Sequence, residues 1–117
     1  FKDDIYMLAD CLLQQDDVRL IVAKDYIKNP KPNGYRSLHL IIETPIFLQD
    51  GRRNMRVEVQ LRTIAMEFWA NLEHKLRYKK NLPEELAQSM AKRLYACAES
   101  SAHLDEEMGF IRTVLEG

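Results

Sequence analysis

The chain has 117 residues, of which 46% are hydrophobic and 30% charged, and its formal net charge is −1. This length suits one modest domain rather than two, and the charge excludes a global basic field that would drive nonspecific nucleic-acid binding. No apolar run approaches the ~20 residues of a membrane span and the opening residues do not read as a secretory signal, so we expect a cytoplasmic protein. The two cysteines, Cys11 and Cys97, are predicted to be buried free thiols.

The opening segment is predicted to be a helix, because apolar residues recur at helical spacing through Phe1–Gln15. Asp3 and Asp4 fall at its start, where the helix dipole favours carboxylates. A β-branched strand is predicted next, at Val18–Ala23.

A basic loop follows, in the stretch KDYIKNPKPNGYRSLH at residues 24–39. Its prolines and the Asn33-Gly34 dipeptide interrupt any helix and predict a turn, while apolar runs on both sides predict strands. Such a loop suits an anionic ligand, with Tyr35 free to offer its ring face to a base. The alternative is a basic loop that binds nothing in particular.

Two further strands are predicted. The continuous apolar run within Ser37–Leu48 indicates a strand buried on both faces, in which Pro45 marks a bulge or an edge position. Asp50-Gly51 predicts a hairpin turn. The segment Met55–Arg62 then alternates clearly between apolar and polar residues.

Two helices are predicted to complete the chain. Thr63 is a natural N-cap for a helix over Ile64–Lys80, and a long helix is predicted over Pro83–Leu115. The long helix carries an apolar seam, for which an oligomer contact and a fold back onto its own domain both remain open. The order α-β-β-β-α-α predicts an α+β fold, with a mixed β-sheet flanked by helices. The seam consists of Leu86, Met90, Leu94, Cys97, Leu104, Met108, Ile111 and Leu115.

One face of the third strand is polar at every position, with Arg56, Glu58, Gln60 and Arg62. A solvated sheet face is one interpretation. The other is that Glu58, on a rigid strand beside a basic loop, holds Mg²⁺ against a polyphosphate.

The loop stretch, together with EVQLRT and MEFWANLEHKLRYK, resembles the synthetase domain of the RelA/SpoT homologue family. The resemblance spans Lys24–Lys79. It implies a nucleotidyltransferase-like synthetase fold and the transfer of pyrophosphate from ATP to the 3′-hydroxyl of GDP or GTP, which makes the alarmone (p)ppGpp. The tail LDEEMGFIR is similar to the ending of small family members, which are typically homotetramers.

The resemblance also implies roles for individual residues. Glu58 is implied to bind Mg²⁺ and to orient or deprotonate the attacking hydroxyl, with Gln60 positioning that hydroxyl. Tyr35 is implied to stack on guanine. The remaining implied substrate-binding residues are Lys24 and Lys31 at phosphates, Asn33 at a base or ribose edge, His39 at phosphates or ribose, and Arg36 and Arg62 at phosphates or nearby carboxylates.

The chain departs from the family pattern in one respect. Nothing in it matches the family's D-x-x-G-x-R segment, which carries a second metal-binding aspartate and lies near the ATP-binding residues. We therefore expect residues 1–117 to form a single synthetase-like domain that lacks its N-terminal part. Two alternatives remain, a non-catalytic guanine-nucleotide-binding regulatory module and a structural oligomerisation domain. The sequence carries no signal for DNA, and does not reveal whether RNA or an allosteric alarmone binds.

Overall fold

The computed structural model describes residues 1–117 and contains three helices and one three-stranded sheet. The predicted order of elements is confirmed, and so is the α+β class. In chain order the elements are α1 (Lys2–Leu13), β1 (Arg19–Asp25), β2 (Leu38–Leu48), β3 (Gly51–Leu61), α2 (Ile64–Tyr78) and α3 (Glu84–Glu116).

The sheet is antiparallel throughout, with strand order β1-β2-β3. It differs in this respect from the mixed sheet expected from the sequence. A parallel pair needs a crossover connection, usually a helix. Here β2 and β3 are joined by a tight turn, and β1 and β2 by a loop without a helix, so neighbouring strands run in opposite directions.

The hydrophobic core lies on one face of the sheet, called the core face. Leu38, Leu40 and Ile42 of β2 are only 5%, 2% and 4% exposed. They pack with Ile5 and Ala9 of α1, which belong to the predicted apolar stripe of that helix, whereas Leu8 of the same stripe is 57% exposed. The core therefore depends on the fit of α1 against the central strand.

The opposite face, called the polar face, is only half-buried. His39, Ile41 and Glu43 alternate with the buried residues of β2 and keep part of their surface exposed. The prediction that this strand is buried on both faces is therefore wrong for the second face. A continuous apolar run does not reveal which face a helix will cover, and here α1 covers the core face.

The predicted hairpin is present, but it turns at Gln49 and Asp50, one residue before the predicted Asp50-Gly51 centre, because Gly51 already pairs with Leu48. Gly51 has a φ of +124°, a backbone conformation in which a residue with a side chain would be strained. Pairing continues up to this turn, so β3 begins at Gly51 rather than at Met55. Strand β1 pairs with β2 only as far as Glu43, which leaves Pro45 in the predicted edge position.

Helix α2 begins where its capping residue predicts. The Thr63 hydroxyl accepts a hydrogen bond from the Met66 N–H at 3.2 Å, which satisfies one of the free amides of the first turn. Trp69 is 7% exposed and belongs to the packed interior. The helix ends at Tyr78, slightly before the predicted Lys80.

Helix α3 spans 33 residues, or about 50 Å, with Pro83 as its N-cap rather than its first helical residue. It packs against α2, and Arg112 near its end donates a 3.0 Å hydrogen bond to Asp4 of α1. That hydrogen bond lowers the pKa of the Asp4 carboxyl below its ordinary value. Most of the apolar seam nevertheless stays exposed, at Leu86, Cys97, Leu104, Met108, Ile111 and Leu115.

Both cysteines are free thiols on the surface. The prediction that they are buried is wrong, because Cys11 and Cys97 lie on the exposed sides of their helices. None of the three helices combines the length and apolar character that crossing a membrane requires.

Candidate functional site

The segment between β1 and β2, residues 26–37, forms a closed loop that we call the basic loop. At its base, the Tyr26 N–H donates to the Ser37 carbonyl at 2.9 Å. Near its tip, the Gly34 N–H donates to the Lys31 carbonyl at 2.8 Å, and the Asn33 side-chain oxygen accepts from the Tyr35 N–H at 3.0 Å. The amide oxygen of Asn33 therefore serves the turn itself.

The tip of the basic loop is seated on the two C-terminal helices. Gly34 has a φ of +102°, and a Cβ there would lie 3.2 Å from the Ala98 Cβ and 3.3 Å from the Trp69 ring. The Trp69 indole N–H donates to the Leu94 carbonyl at 2.6 Å, which ties α2 to α3 beneath the loop. Glycine is required here by both backbone conformation and space.

Tyr35 lies among cations and a second aromatic ring. The Lys31 Nζ is 5.2 Å from the Tyr35 ring centre and 5.0 Å from that of Tyr26. The two rings meet edge to face with their centres 6.2 Å apart, and the Arg62 guanidinium lies 5.9 Å from the Tyr35 ring. An aromatic ring flanked by two cations is a suitable platform for a base that carries phosphates.

The sheet register brings three predicted site residues into one row across the polar face. Lys24 of β1 is the partner of His39 in β2, and His39 is the partner of Gln60 in β3. Glu58 lies two positions before Gln60 and therefore on the same face. The basic loop begins and ends beside this row, so the predicted acceptor residues and the predicted carboxylate are neighbours.

His39 and Glu58 approach each other within the row. The His39 Nε2 lies 3.4 Å from a Glu58 carboxylate oxygen, but the geometry does not make a hydrogen bond, and the buried Nε2 has no partner. The Glu58 side chain is 68% exposed. A carboxylate with this exposure is accessible to a metal ion or to a hydroxyl group.

The two arginines assigned to the site contact carboxylates. Arg36 lies 3.3 Å from a Glu99 oxygen of α3, and only 10% of its side chain is exposed. The Arg62 Nε lies 3.0 Å from a Glu67 oxygen, and another of its nitrogens donates to the Gln60 side chain at 3.1 Å. Both guanidinium groups thus orient neighbouring elements, while contact with a phosphate stays a prediction.

Two residues that hold the base of the basic loop, Asp25 at the end of β1 and Tyr6 of α1, were not predicted to be part of the site. Asp25 accepts hydrogen bonds from the N–H groups of Ile27 and Lys28 and from the hydroxyl of Tyr6. An aspartate just before a turn is a known signal for such backbone bonds, so Asp25 could have been found from the sequence. Tyr6 could not, because nothing local links a helix residue to a loop 19 positions away.

These contacts change the acidity of both groups. Burial acts to raise the pKa of Asp25, but the hydrogen bonds from Lys28, Tyr6 and Ile27 outweigh it, so that the pKa is lowered. Burial and the hydrogen bond to Asp25 together raise the pKa of Tyr6 well above its ordinary value. In this pair the Asp25 carboxylate therefore accepts the hydrogen bond and the Tyr6 hydroxyl donates it.

The chain offers few ligands for a metal ion. No group of three or more histidine, cysteine, aspartate or glutamate residues could hold one. Mg²⁺ is nevertheless often bound by one or two carboxylates together with water and substrate phosphates. The exposed Glu58 carboxylate fits that pattern, with the other oxygens coming from a bound polyphosphate.

Two cavities flank the loop tip. One of about 620 Å³ lies between the basic loop, the start of α2 and the middle of α3, and includes Arg36 and Trp69 in its lining. The other, of about 570 Å³, lies between α2 and α3 and reaches Asn33. Glu58 lines neither of these two cavities, and its side chain is largely exposed.

Comparison with known proteins identifies the family. A model of the family described as "Region found in RelA / SpoT proteins" matches residues 1–82. The chain therefore belongs to the RelA/SpoT family. The matched region includes the basic loop, the polar row and the MEFWANLEHKLRYK stretch, whereas the tail LDEEMGFIR lies beyond it.

Several similar proteins of this family have been named or their structures solved. The chain is 48% identical over 108 residues to the GTP pyrophosphokinase YwaC of Bacillus subtilis (strain 168), covering 92% of this chain and 50% of that protein. The crystal structure of small alarmone synthetase 2 from Bacillus subtilis has a TM-score of 0.85 and 47% identity, covering 97% of this chain and 60% of the other.

A second crystal structure, of small alarmone synthetase 1 from Bacillus subtilis bound to its product pppGpp, has a TM-score of 0.82 and 38% identity. It covers 100% of this chain and 58% of the other. The chain thus spans about half the length of the curated relatives it matches.

Proposed function

We propose that the intact protein transfers pyrophosphate from ATP to the 3′-hydroxyl of GDP or GTP and so makes (p)ppGpp. The observation that carries the proposal is the row of Lys24, His39 and Gln60 with Glu58, lying beside the basic loop that presents Tyr35. Relatives of this chain are named GTP pyrophosphokinases, and the similar structure of small alarmone synthetase 1 from Bacillus subtilis is bound to its product pppGpp.

The acceptor nucleotide is proposed to lie between the basic loop and the polar row. Tyr35 stacks on the guanine ring, and Lys31 beside it contacts phosphates. Lys24 and His39 contact phosphates or ribose from the sheet. Asn33 has its side-chain oxygen engaged in the turn, which leaves its NH₂ group to donate to a base or ribose edge.

The arginines of the site act partly through their neighbours. Arg36 stabilises the loop tip against α3 through Glu99, and Arg62 orients Gln60. Arg62 also lies beside Tyr35, where its charge favours a ligand that carries phosphates. Phosphate contacts by either guanidinium group are part of the proposal.

Glu58 and Gln60 are proposed to act on the attacking hydroxyl. Glu58 orients the 3′-hydroxyl or removes its proton, and Gln60 positions it by a hydrogen bond. Glu58, together with phosphate oxygens of the substrates, would hold Mg²⁺, which would neutralise phosphate charge. This type of transfer requires positioning and charge stabilisation more than covalent catalysis, which suits a site of one carboxylate and several cations.

We also propose that the protein is cytoplasmic and self-associates, as a homotetramer. Support for self-association comes from α3, whose seam keeps Leu104, Met108 and Ile111 about half exposed in a single chain. A seam of this kind, on a rigid helix of about 50 Å, can bury its apolar surface against a second copy.

The test is to incubate the intact protein with ATP, Mg²⁺ and, in turn, GDP, GTP and GMP, and to identify products by anion-exchange chromatography and mass spectrometry. We expect a product carrying pyrophosphate on the 3′-oxygen, together with AMP. Binding of guanine nucleotide without product would instead indicate the regulatory module. If neither guanine-nucleotide binding nor product is observed, the structural oligomerisation domain is the remaining alternative.

A further inference from the structure

The base of the basic loop is fixed by a single carboxylate at the end of β1. One oxygen of Asp25 accepts from the N–H groups of Ile27 and Lys28, each at 3.0 Å. Its backbone carbonyl accepts from the Asn29 N–H at 3.1 Å. These bonds set the direction in which the chain leaves the strand and enters the loop.

The second oxygen of Asp25 is held by helix α1. The Tyr6 hydroxyl donates to it at 2.8 Å, and the Tyr6 ring packs against the hydrophobic core. Ile27, whose N–H is bound by the same carboxylate, packs against that core as well. The loop base is thus connected to the most buried part of the molecule through one phenol and one carboxylate.

Asp25 cannot reach a nucleotide on the polar face. Side chains alternate along a strand, so Asp25 and its neighbour Lys24 project to opposite faces. Lys24 lies in the polar row, and Asp25 lies on the side of α1. Any influence of Asp25 on the site must therefore act through the backbone of the loop.

We propose that Asp25 and Tyr6 are positioning residues for the acceptor nucleotide, an inference that rests on the proposed function. They hold the loop base so that Lys31 and Tyr35 are already placed opposite the polar row before the nucleotide arrives. Ordering a mobile loop on binding lowers affinity, so a loop ordered in advance binds the acceptor more tightly. The chemical step on the polar face does not use either residue.

The first test is Tyr6→Phe in the intact protein, which removes the hydroxyl and keeps the ring in the core. We expect the KM for GDP to rise about tenfold, since one hydrogen bond to a charged group is lost, while the KM for ATP and kcat stay within about twofold. Tyr78→Phe is the matched control, because Tyr78 is 65% exposed on α2 and its ring contacts His74 and Arg77 of the same helix.

The second test compares Asp25→Asn with Asp25→Ala. The asparagine keeps an oxygen for the two loop N–H groups and an NH₂ group that can donate to the Tyr6 oxygen, so we expect it to keep most acceptor affinity. The alanine loses all of these bonds and should raise the KM for GDP more than Tyr6→Phe does. If Asp25→Asn keeps acceptor affinity and Asp25→Ala loses it, the hydrogen bonds that position the loop are required and the negative charge is not.

Hydrogen exchange provides a readout that does not depend on synthesis. Peptides covering residues 26–37 should exchange at least about tenfold faster in Tyr6→Phe and Asp25→Ala than in the wild type. Unchanged exchange in both folded variants would overturn the proposal, and so would a fall in kcat with the KM for GDP unchanged.

The same measurements separate the two proposals. If the wild type binds fluorescently labelled GDP but makes no product, the proposed function fails. Weaker GDP binding by Tyr6→Phe would still support the positioning role of Tyr6 and Asp25. If the wild type makes product and Tyr6→Phe binds GDP as tightly as the wild type does, the positioning role of Tyr6 and Asp25 is excluded and the proposed function is supported.

Discussion

The residues of the candidate site differ in how much they are constrained by the fold. Glu58 is largely exposed and approaches only His39, whereas Arg36 is nearly buried in its contact with Glu99. Exposed groups are available to substrates, and buried paired groups stabilise the surrounding structure. Substitutions at the two kinds of residue should therefore differ in whether they affect the melting temperature.

Glu58→Gln tests the proposed catalytic carboxylate. The substitution removes the charge and keeps the shape, so we expect synthesis by the intact protein to fall by roughly 100-fold or more through weaker charge stabilisation. The melting temperature should not change, because the side chain is exposed and makes no hydrogen bond. Product formation at increasing Mg²⁺ concentration measures the effect, and near-normal turnover in a folded variant would remove Glu58 from the mechanism.

Tyr35→Ala tests the guanine stack. Loss of one base–aromatic stack costs ~1–3 kcal/mol, so the KM for the acceptor should rise roughly five- to a hundredfold while that for ATP changes little. Tyr35→Phe should keep most of the affinity, because the ring makes the stack and also the contacts with Lys31 and Tyr26.

Lys31→Ala is the comparison variant for this loop. It should weaken binding of GDP or GTP more than that of guanosine, because the lysine acts on phosphate. Equal acceptor affinity in wild type and folded, active Tyr35→Ala would place the guanine site elsewhere.

At the scale of elements, the basic loop is held at both ends by different partners. Asp25 and Tyr6 fix its base to α1, and Gly34 seats its tip on Trp69 and Ala98. Backbone hydrogen bonds within the segment close the loop on itself as well. The loop is therefore a structured part of the domain, and its order should depend on the state of Asp25.

The acidity of Asp25 predicts a pH dependence of stability. Its pKa in the folded protein is lowered from the ordinary value of 3.8, so its contribution is fully present above pH 3.8 and is lost as pH falls through the lower folded value. Asp25→Asn cannot titrate in this range. The free energy of unfolding of wild type minus that of the variant should therefore decrease as the pH falls.

Urea unfolding at several values over roughly pH 2 to 6 measures this difference. A difference that is constant across the range, or one that grows as pH falls, would contradict the assigned hydrogen bonds. Tyr6 has the opposite behaviour: its pKa is raised, so its phenol stays protonated throughout this range and can donate to Asp25.

At the scale of the whole molecule, this chain is open rather than compact. Its radius of gyration is 18.1 Å, against about 13 Å for a compact domain of the same length, and 9 of its 117 residues are buried. The long helix α3 accounts for much of this extension, because only part of it contacts α2 and α1. Its exposed apolar residues are the ones that a second copy could cover.

Replacing Leu104 and Met108 together by glutamate tests this surface. Both side chains are at least half exposed, at 56% and 50%, so the charges should be tolerated in a single chain and unfavourable in an apolar interface. Sedimentation of the intact protein should then show a lower oligomeric mass with an unchanged circular dichroism spectrum. The same mass in a folded variant would exclude this part of the seam, and unfolding would place the two residues in the core.

Local signals in the sequence determined much of the structure. The Asn33-Gly34 and Asp50-Gly51 turns, the Thr63 cap and the alternation within β3 all depend on neighbouring residues, so their positions follow from backbone preferences and hydrogen bonds close in the chain. The motifs of the basic loop and of β3 likewise indicate the family and the candidate residues from local sequence alone.

The tertiary structure alone decided how these pieces meet. The row of Lys24, His39 and Gln60 depends on strand register, which pairs residues that are distant in sequence. The bonds from Tyr6 to Asp25 and from Arg36 to Glu99 join residues 19 and 63 positions apart. Such contacts follow from how the helices pack on the sheet; periodicity indicates which face of an element is buried, but not which distant residue it meets there.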